Sequence, residues 1–156
     1  MLTPYAYTDR MRLPKDVREK FERYGRAGGR TRAVRMRPEQ RRAVARRAAT
    51  VRWIRERFGA SSFETLGLPG GDIVDAGLAD LAADKATTES LLVSLAAPRL
   101  RREGVPIGSV LEDPETRLYV LLSETEGDLA HARYQARLRQ MVSFADACRF
   151  ARLDRV

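Results

Sequence analysis

Between Arg26 and Arg57 the chain places 12 arginines and only two acids, Glu39 and Glu56. A stretch so dense in one sign of charge cannot be buried on all sides, because an unpaired charge taken out of water costs more than its apolar neighbours contribute. The hydrophobic core must come largely from elsewhere. Residues 1–58 hold 18 Lys+Arg against 6 Asp+Glu, a net of +12, whereas residues 59–156 hold 11 against 15, a net of −4. The overall charge of +8 conceals this division. Such asymmetry predicts a polyanion partner for one end, nucleic acid ahead of a membrane surface. Lysine appears only as Lys15, Lys20 and Lys85. Arginine binds phosphate in a planar, bidentate way and stacks on bases, while lysine acts as a point charge. A GC-rich coding bias accounts for a high Arg/Lys ratio equally well, but not for the clustering.

A chain of 156 residues, 44% hydrophobic and 32% charged, fits one domain with an appendage. One cysteine excludes an intramolecular disulfide, and one Cys with one His cannot build a conventional zinc site within the chain. Helix punctuation recurs and strand signals are nearly absent. Pro14 predicts the start of a first helix that stops before Gly28-Gly29, with the glycines as a flexible joint. Pro38 opens a second helix that runs to Phe58, with Gly59 as its stop. On its wheel Val44, Ala48, Val51, Ile54 and Phe58 form an apolar stripe, with Arg47 and Arg55 within or beside it. Almost opposite lie Arg42, Arg46, Ala49, Trp53 and Arg57. A tryptophan among arginines must be covered by the protein, a partner or nucleic acid.

Beyond Gly59 a turn over Leu66–Gly71 leads to a helix from Asp72, with Ile73, Val74, Leu78 and Leu81 inward and Gly77 open to a close helix approach. Thr87 or Thr88 caps the next helix, which carries Leu91, Leu92, Leu95 and Leu100 and should kink or break at Pro98. After an extended link over Val105–Val110, Asp113-Pro114-Glu115 supplies a cap, a first-position proline and a first-turn acid. Leu118, Leu121 and Leu122 then face inward. A last helix from about Asp128 towards Leu153 carries Tyr134, Leu138, Met141, Ala145 and Cys148, widened by Leu129, Phe144 and Phe150. The fold class is all-α: residues 1–58 form a basic helical arm and residues 59–156 a compact helical bundle for oligomerisation or partner binding.

Catalytic chemistry finds little footing, and the expected chain is non-enzymatic, without cofactor or metal. His131 and Cys148 lie on one expected helix, about 25 Å apart at 1.5 Å per residue, so they cannot act together. Asp72/Asp75 and Asp80/Asp84 share helix faces and suit a metal or acid–base pair, but helix-start and solvated-face roles explain them better. Gly67-Leu68-Pro69-Gly70-Gly71 precedes a helix without the Gly-Lys-Ser/Thr ending of a phosphate loop, which favours a tight turn. No apolar run in Met1–Arg12 resembles a signal-peptide core, and Leu91–Pro98 is too short to span a bilayer, so a cytoplasmic location with no membrane partner is expected.

The expected nucleic-acid-binding residues are Arg30, Arg32, Arg35, Arg37, Arg41, Arg42, Arg46, Arg47, Trp53 and Arg57. Their guanidinium groups neutralise phosphates, and Trp53 stacks on an unpaired base or packs on sugar edges. DNA stands ahead of RNA as the polymer. The competing expectations are a solvated face, or an acidic protein partner for which Trp53 is the anchor. The run Gly28-Gly29-Arg30…Arg37-Pro38-Glu39-Gln40-Arg41-Arg42…Ala45-Arg46-Arg47-Ala48-Ala49…Arg52-Trp53 resembles a segment of small bacterial regulatory proteins, antitoxin-like partners of toxins among them. The resemblance covers residues 28–53 and implies a bacterial, non-enzymatic regulator that binds DNA or RNA through this segment. It also implies that the helical remainder binds a partner, a toxin in such pairs; a homo-oligomer is the other expected role of that region. The alternative is a subunit of a larger complex whose basic arm docks on an acidic protein.

Overall fold

A computed structural model describes residues 14–153. The all-α expectation holds. Among the described residues there are six α-helices and no strand: α1 (Lys15–Arg35), α2 (Pro38–Phe58), α3 (Gly71–Ala82), α4 (Thr88–Arg102), α5 (Pro114–Glu126) and α6 (Ala130–Leu153). A single 3-10 turn, Gly127–Leu129, joins α5 to α6. None of these helices is long and apolar enough to cross a membrane. The Met1–Arg12 stretch considered for targeting lies outside the described residues.

The chain divides into two compact units, 1–37 and 38–156. The boundary therefore falls at Pro38 and not at residue 59, because α2 belongs with the bundle: its Ile54 and Phe58 are core residues and it packs on α3. Within the first unit, α1 does not stop at Gly28-Gly29 but continues to Arg35. Glycine costs about 1 kcal/mol relative to alanine in a helix, which weakens a helix without forbidding it. Arg32 and Arg35 in the last turn favour its negative end. Termination comes at Met36, which is extended at φ −83 and ψ 138, and the following Arg37 precedes a proline, a position that disfavours helix.

In the second unit α3 packs on α4, α4 on α5 and α6, and α5 on α6. Ile73, Val74, Leu78 and Leu81 face inward as the periodicity predicts. Gly77 lets α4 approach so closely that a Cβ there would lie 2.5 Å from Val93 Cγ2 and 2.6 Å from the Glu89 carbonyl oxygen. Thr87 caps α4 through a reciprocal box with Ser90, each side chain bonding the other's backbone N–H. The helix runs unbroken past Pro98, which is exposed, since Leu92, Val93, Ala97 and Leu100 hold both sides of it in the core. Asp113 precedes α5 in the left-handed conformation, φ 46, and gives the helix no side-chain cap; its carboxylate accepts from the Thr116 hydroxyl instead. In α6 Tyr134, Met141, Phe144, Ala145 and Cys148 are buried, while Leu129 and Phe150 are exposed and widen nothing.

The centre of the core is aromatic. Phe63, fully buried in the link between α2 and α3, meets Phe144 at 5.0 Å and Phe58 at 5.8 Å between ring centroids, edge to face. This geometry aligns the ring edges with neighbouring faces, as aromatic quadrupoles prefer. It fixes the C-terminal half of α2 against the bundle.

Candidate nucleic-acid interface

The expected site residues divide between the two units. Arg30, Arg32 and Arg35 are exposed on α1, and Arg37 follows that helix. Arg41, Arg42, Arg46, Arg47, Trp53 and Arg57 lie on α2, all but Trp53 exposed. On α1, Arg23, Arg26 and Arg30 share one face at spacings of three and four, with Glu22 accepting from Arg26 at 3.1 Å.

The two halves of α2 differ. From Pro38 to Ala49 every residue except the half-buried Ala43 is exposed. The core is reached only by Ile54 and Phe58, with Thr50, Val51 and Trp53 half-buried. The apolar stripe expected from Val44 to Phe58 is thus buried only at its end. Val44 is 58% exposed, Ala48 is exposed and Val51 is half-covered. These three line an open concavity along α2 with Arg47, Arg52, Arg55 and Glu56.

Trp53 faces the other way. Its indole lies 5.5 Å from Phe58 and 6.5 Å from Phe63 between ring centroids, so the protein itself covers much of it. The remainder lines a cleft of about 410 Å³ between α2, α3 and the 106–109 link, with Arg46 at the same cleft. Arg46 Nη1 lies 3.4 Å from Asp84 Oδ1, an exposed pair. Such surface pairs are worth about 0–1 kcal/mol. Among the described residues, Arg41, Arg42, Arg47, Arg52 and Arg55 have no ion-pair partner within 4.0 Å.

Asp75, Asp80 and Cys148 serve the fold. His131 is exposed and Cys148 buried on the same helix, and burial pushes the Cys148 thiol up to about 12. Asp75 accepts the backbone N–H groups of Glu64 at 2.9 Å and Phe63 at 3.2 Å, which pins the link carrying the central phenylalanine. Burial holds its carboxyl above the ordinary value against the lowering effect of those two donors. Asp80 accepts the Thr87 hydroxyl at 2.8 Å. In the glycine turn, the N–H groups of Gly67, Leu68 and Gly71 all donate to backbone carbonyls of residues 63–68, so they make a tight turn and offer no anion nest.

Comparison with known protein families, curated proteins and solved structures finds no match to this chain. Sequence reasoning placed Arg46 and Trp53 on one face but did not find their neighbours across the cleft, Leu78, Leu81 and Ile107. Ile107 lies in the link after α4, where no periodicity marks its direction; Arg101 fixes that link by donating to the Ile107 and Gly108 carbonyls at 3.1 and 2.6 Å.

Proposed function

We propose that this chain is a non-enzymatic nucleic-acid-binding regulator, bacterial and cytoplasmic, of the antitoxin-like kind. The observation that carries the reading is the N-terminal half of α2, an arginine-dense helix surface that the bundle leaves uncovered. Arg41, Arg42, Arg46 and Arg47 lie within two turns, and acids elsewhere in the described residues pair only Arg46 of these four. Opposite charge on a phosphate backbone compensates such a surface, with release of its counterions. The basic residues of 1–37 add to the same electrostatic attraction, DNA ahead of RNA. The bundle serves oligomerisation or toxin capture. Asp75 and Asp80 hold N–H and hydroxyl donors, and an exposed His131 stands apart from a buried Cys148 on α6, which lends an enzymatic role no support.

Binding of the full chain to labelled double-stranded DNA and single-stranded RNA across a salt series tests this reading. Tight, steeply salt-dependent binding is expected, and replacing Arg41, Arg42 and Arg47 with alanine should reduce the slope by about 0.9 per lost contact on duplex or about 0.7 on single strands. Binding that is absent at low salt, or a slope unchanged in the variant, refutes it. A second reading has its own support: Val44, Ala48 and Val51 are interleaved with three arginines, Arg47, Arg52 and Arg55, against one acid, Glu56. Apolar groups ringed by arginine suit an acidic protein surface, in a complex or as a toxin. Isolation as a stoichiometric protein complex free of nucleic acid favours that reading.

A further inference from the structure

The cleft beside Trp53 combines features that contacts to phosphate alone do not use. Arg42, Arg46 and Trp53 follow one another at spacings of four and seven, down one face of α2. The rise from Arg42 to Arg46 is about 6 Å, and from Arg46 to Trp53 about 10 Å. A chain of phosphates tracking the exposed arginines therefore arrives at a cleft whose interior is aromatic and aliphatic. Trp53 forms one wall, and Leu81 and Ile107 lie across from it. The indole is already held by Phe58 and Phe63, so a group entering the cleft meets a fixed aromatic surface.

The polar groups are few and placed at the walls. Thr50 donates its hydroxyl proton to the Arg46 carbonyl at 3.2 Å, which leaves its oxygen as an acceptor. Ser109 contributes a second hydroxyl on the link side. Arg46 is held only by the exposed Asp84 pair, and a phosphate that accepts two hydrogen bonds from the guanidinium competes well with one carboxylate contact at 3.4 Å. The volume suits a planar heterocycle with part of its sugar. A base stacked inside a duplex is not available to such a cleft, whereas an unpaired one is.

We propose that the α2/α3 cleft takes one unpaired nucleobase of a single-stranded nucleic acid, against Trp53, while the adjoining phosphate replaces Asp84 on Arg46. This inference rests on the nucleic-acid reading above and narrows its substrate class to single-stranded or looped segments.

Trp53 is the only tryptophan, so its emission reports on the cleft alone. The full chain is titrated with oligo(dT), oligo(rU) and a blunt DNA duplex of equal length, following strand anisotropy and indole fluorescence together. Single strands are expected to bind and quench Trp53, with the duplex at least about tenfold weaker and without quenching. Quenching by one single strand and not the other identifies the polymer. Trp53→Ala removes core contacts as well as the stacking surface, so a second variant is needed. Ala49→Phe, from an exposed position lining the cleft, fills it without replacing a buried side chain. It is expected to lower single-strand affinity about tenfold and leave the salt slope unchanged. Equal binding of strand and duplex with no quenching, and Ala49→Phe binding as wild type, overturns the cleft proposal and leaves the nucleic-acid reading standing. No binding to any of the three at low salt overturns both.

Discussion

Gly77 offers the sharpest quantitative test of how α3 and α4 meet. Alanine is the better helix former by about 1 kcal/mol, so on propensity alone Gly77→Ala should stabilise α3. The geometry opposes this. The new Cβ would lie 2.5 Å from Val93 Cγ2, 2.6 Å from the Glu89 carbonyl oxygen and 2.9 Å from its carbonyl carbon. Val93 is fully buried and β-branched, so it has little freedom to turn away. The Glu89 carbonyl belongs to the first turn of α4, so relief there requires the helix to shift. Overpacking of this kind costs about 1–3 kcal/mol, and involvement of backbone places the case near the upper end. Set against the propensity gain, the net loss is about 2 kcal/mol, or a melting temperature lower by about 8 °C for a unit of this size. Urea denaturation followed by circular dichroism measures it. Adding Val93→Ala removes the methyl contact but not the carbonyl contact, so Gly77→Ala should still destabilise the Val93→Ala background. A Gly77→Ala protein as stable as wild type would refute the close approach, and with it the reason for a glycine in the middle of this helix.

Three further outcomes follow from the same structure. In α1, a Cβ at Gly28 or Gly29 meets nothing within 4 Å, so Gly28→Ala and Gly29→Ala should each favour the helix by about 1 kcal/mol and raise helical content by circular dichroism; a fall in helicity contradicts a continuous α1. The Asp75 carboxyl is raised above its usual value by burial, so the folded state binds the proton more tightly than the unfolded state. Its contribution to stability is full below the ordinary carboxyl value of 3.8 and is lost as pH rises through the folded value. The stability of wild type relative to Asp75→Asn should therefore fall as pH rises through that range, and a rise in denaturation experiments would contradict the sign. Cys148, buried and with its thiol pushed up to about 12, should resist disulfide reagents near neutral pH until the bundle unfolds. Rapid modification of the native protein argues against its placement in the core.

Local punctuation proved the most readable part of the sequence. Pro38 and Gly59 bound α2, and Gly59 adopts φ 76 as a helix-ending glycine should. The inward faces of α3 and α6 followed from spacing alone, apart from Leu129 and Phe150. The inward face of α2 followed only in part: Ile54 and Phe58 are buried, whereas Val44 and Ala48 are exposed. Its wheel carries two apolar arcs, Val44–Ala48–Val51 and Ala49–Trp53, and only a third body decides between them. That body is Phe63, which lies in a link without periodicity and pulls Trp53 and Phe58 towards the core. Gly28-Gly29 misled for a related reason: paired glycines read as a break, yet the stronger obstacle to helix lies at Arg37, before a proline. Of the candidate interface, the arginines were legible from charge density. The far wall of the cleft was not, since the direction of Ile107 depends on Arg101 holding the backbone of its link.

The uneven burial of α2 sets how tightly its own hydrogen bonds are guarded. At Ile54 and Phe58, exposing an amide to exchange requires core residues to leave their neighbours, so opening there draws on the stability of the whole bundle. Towards Pro38 the helix has almost no apolar contact to break, and an isolated segment of about 12 residues is marginal in water. Its local opening is accordingly cheap and independent of the global transition. A polyanion seated on Arg41, Arg42 and Arg47 selects the helical form of that segment by mass action. Occupancy of the arginine surface is then recorded as slower amide exchange over the first turns of α2, even where the melting temperature of the bundle does not move.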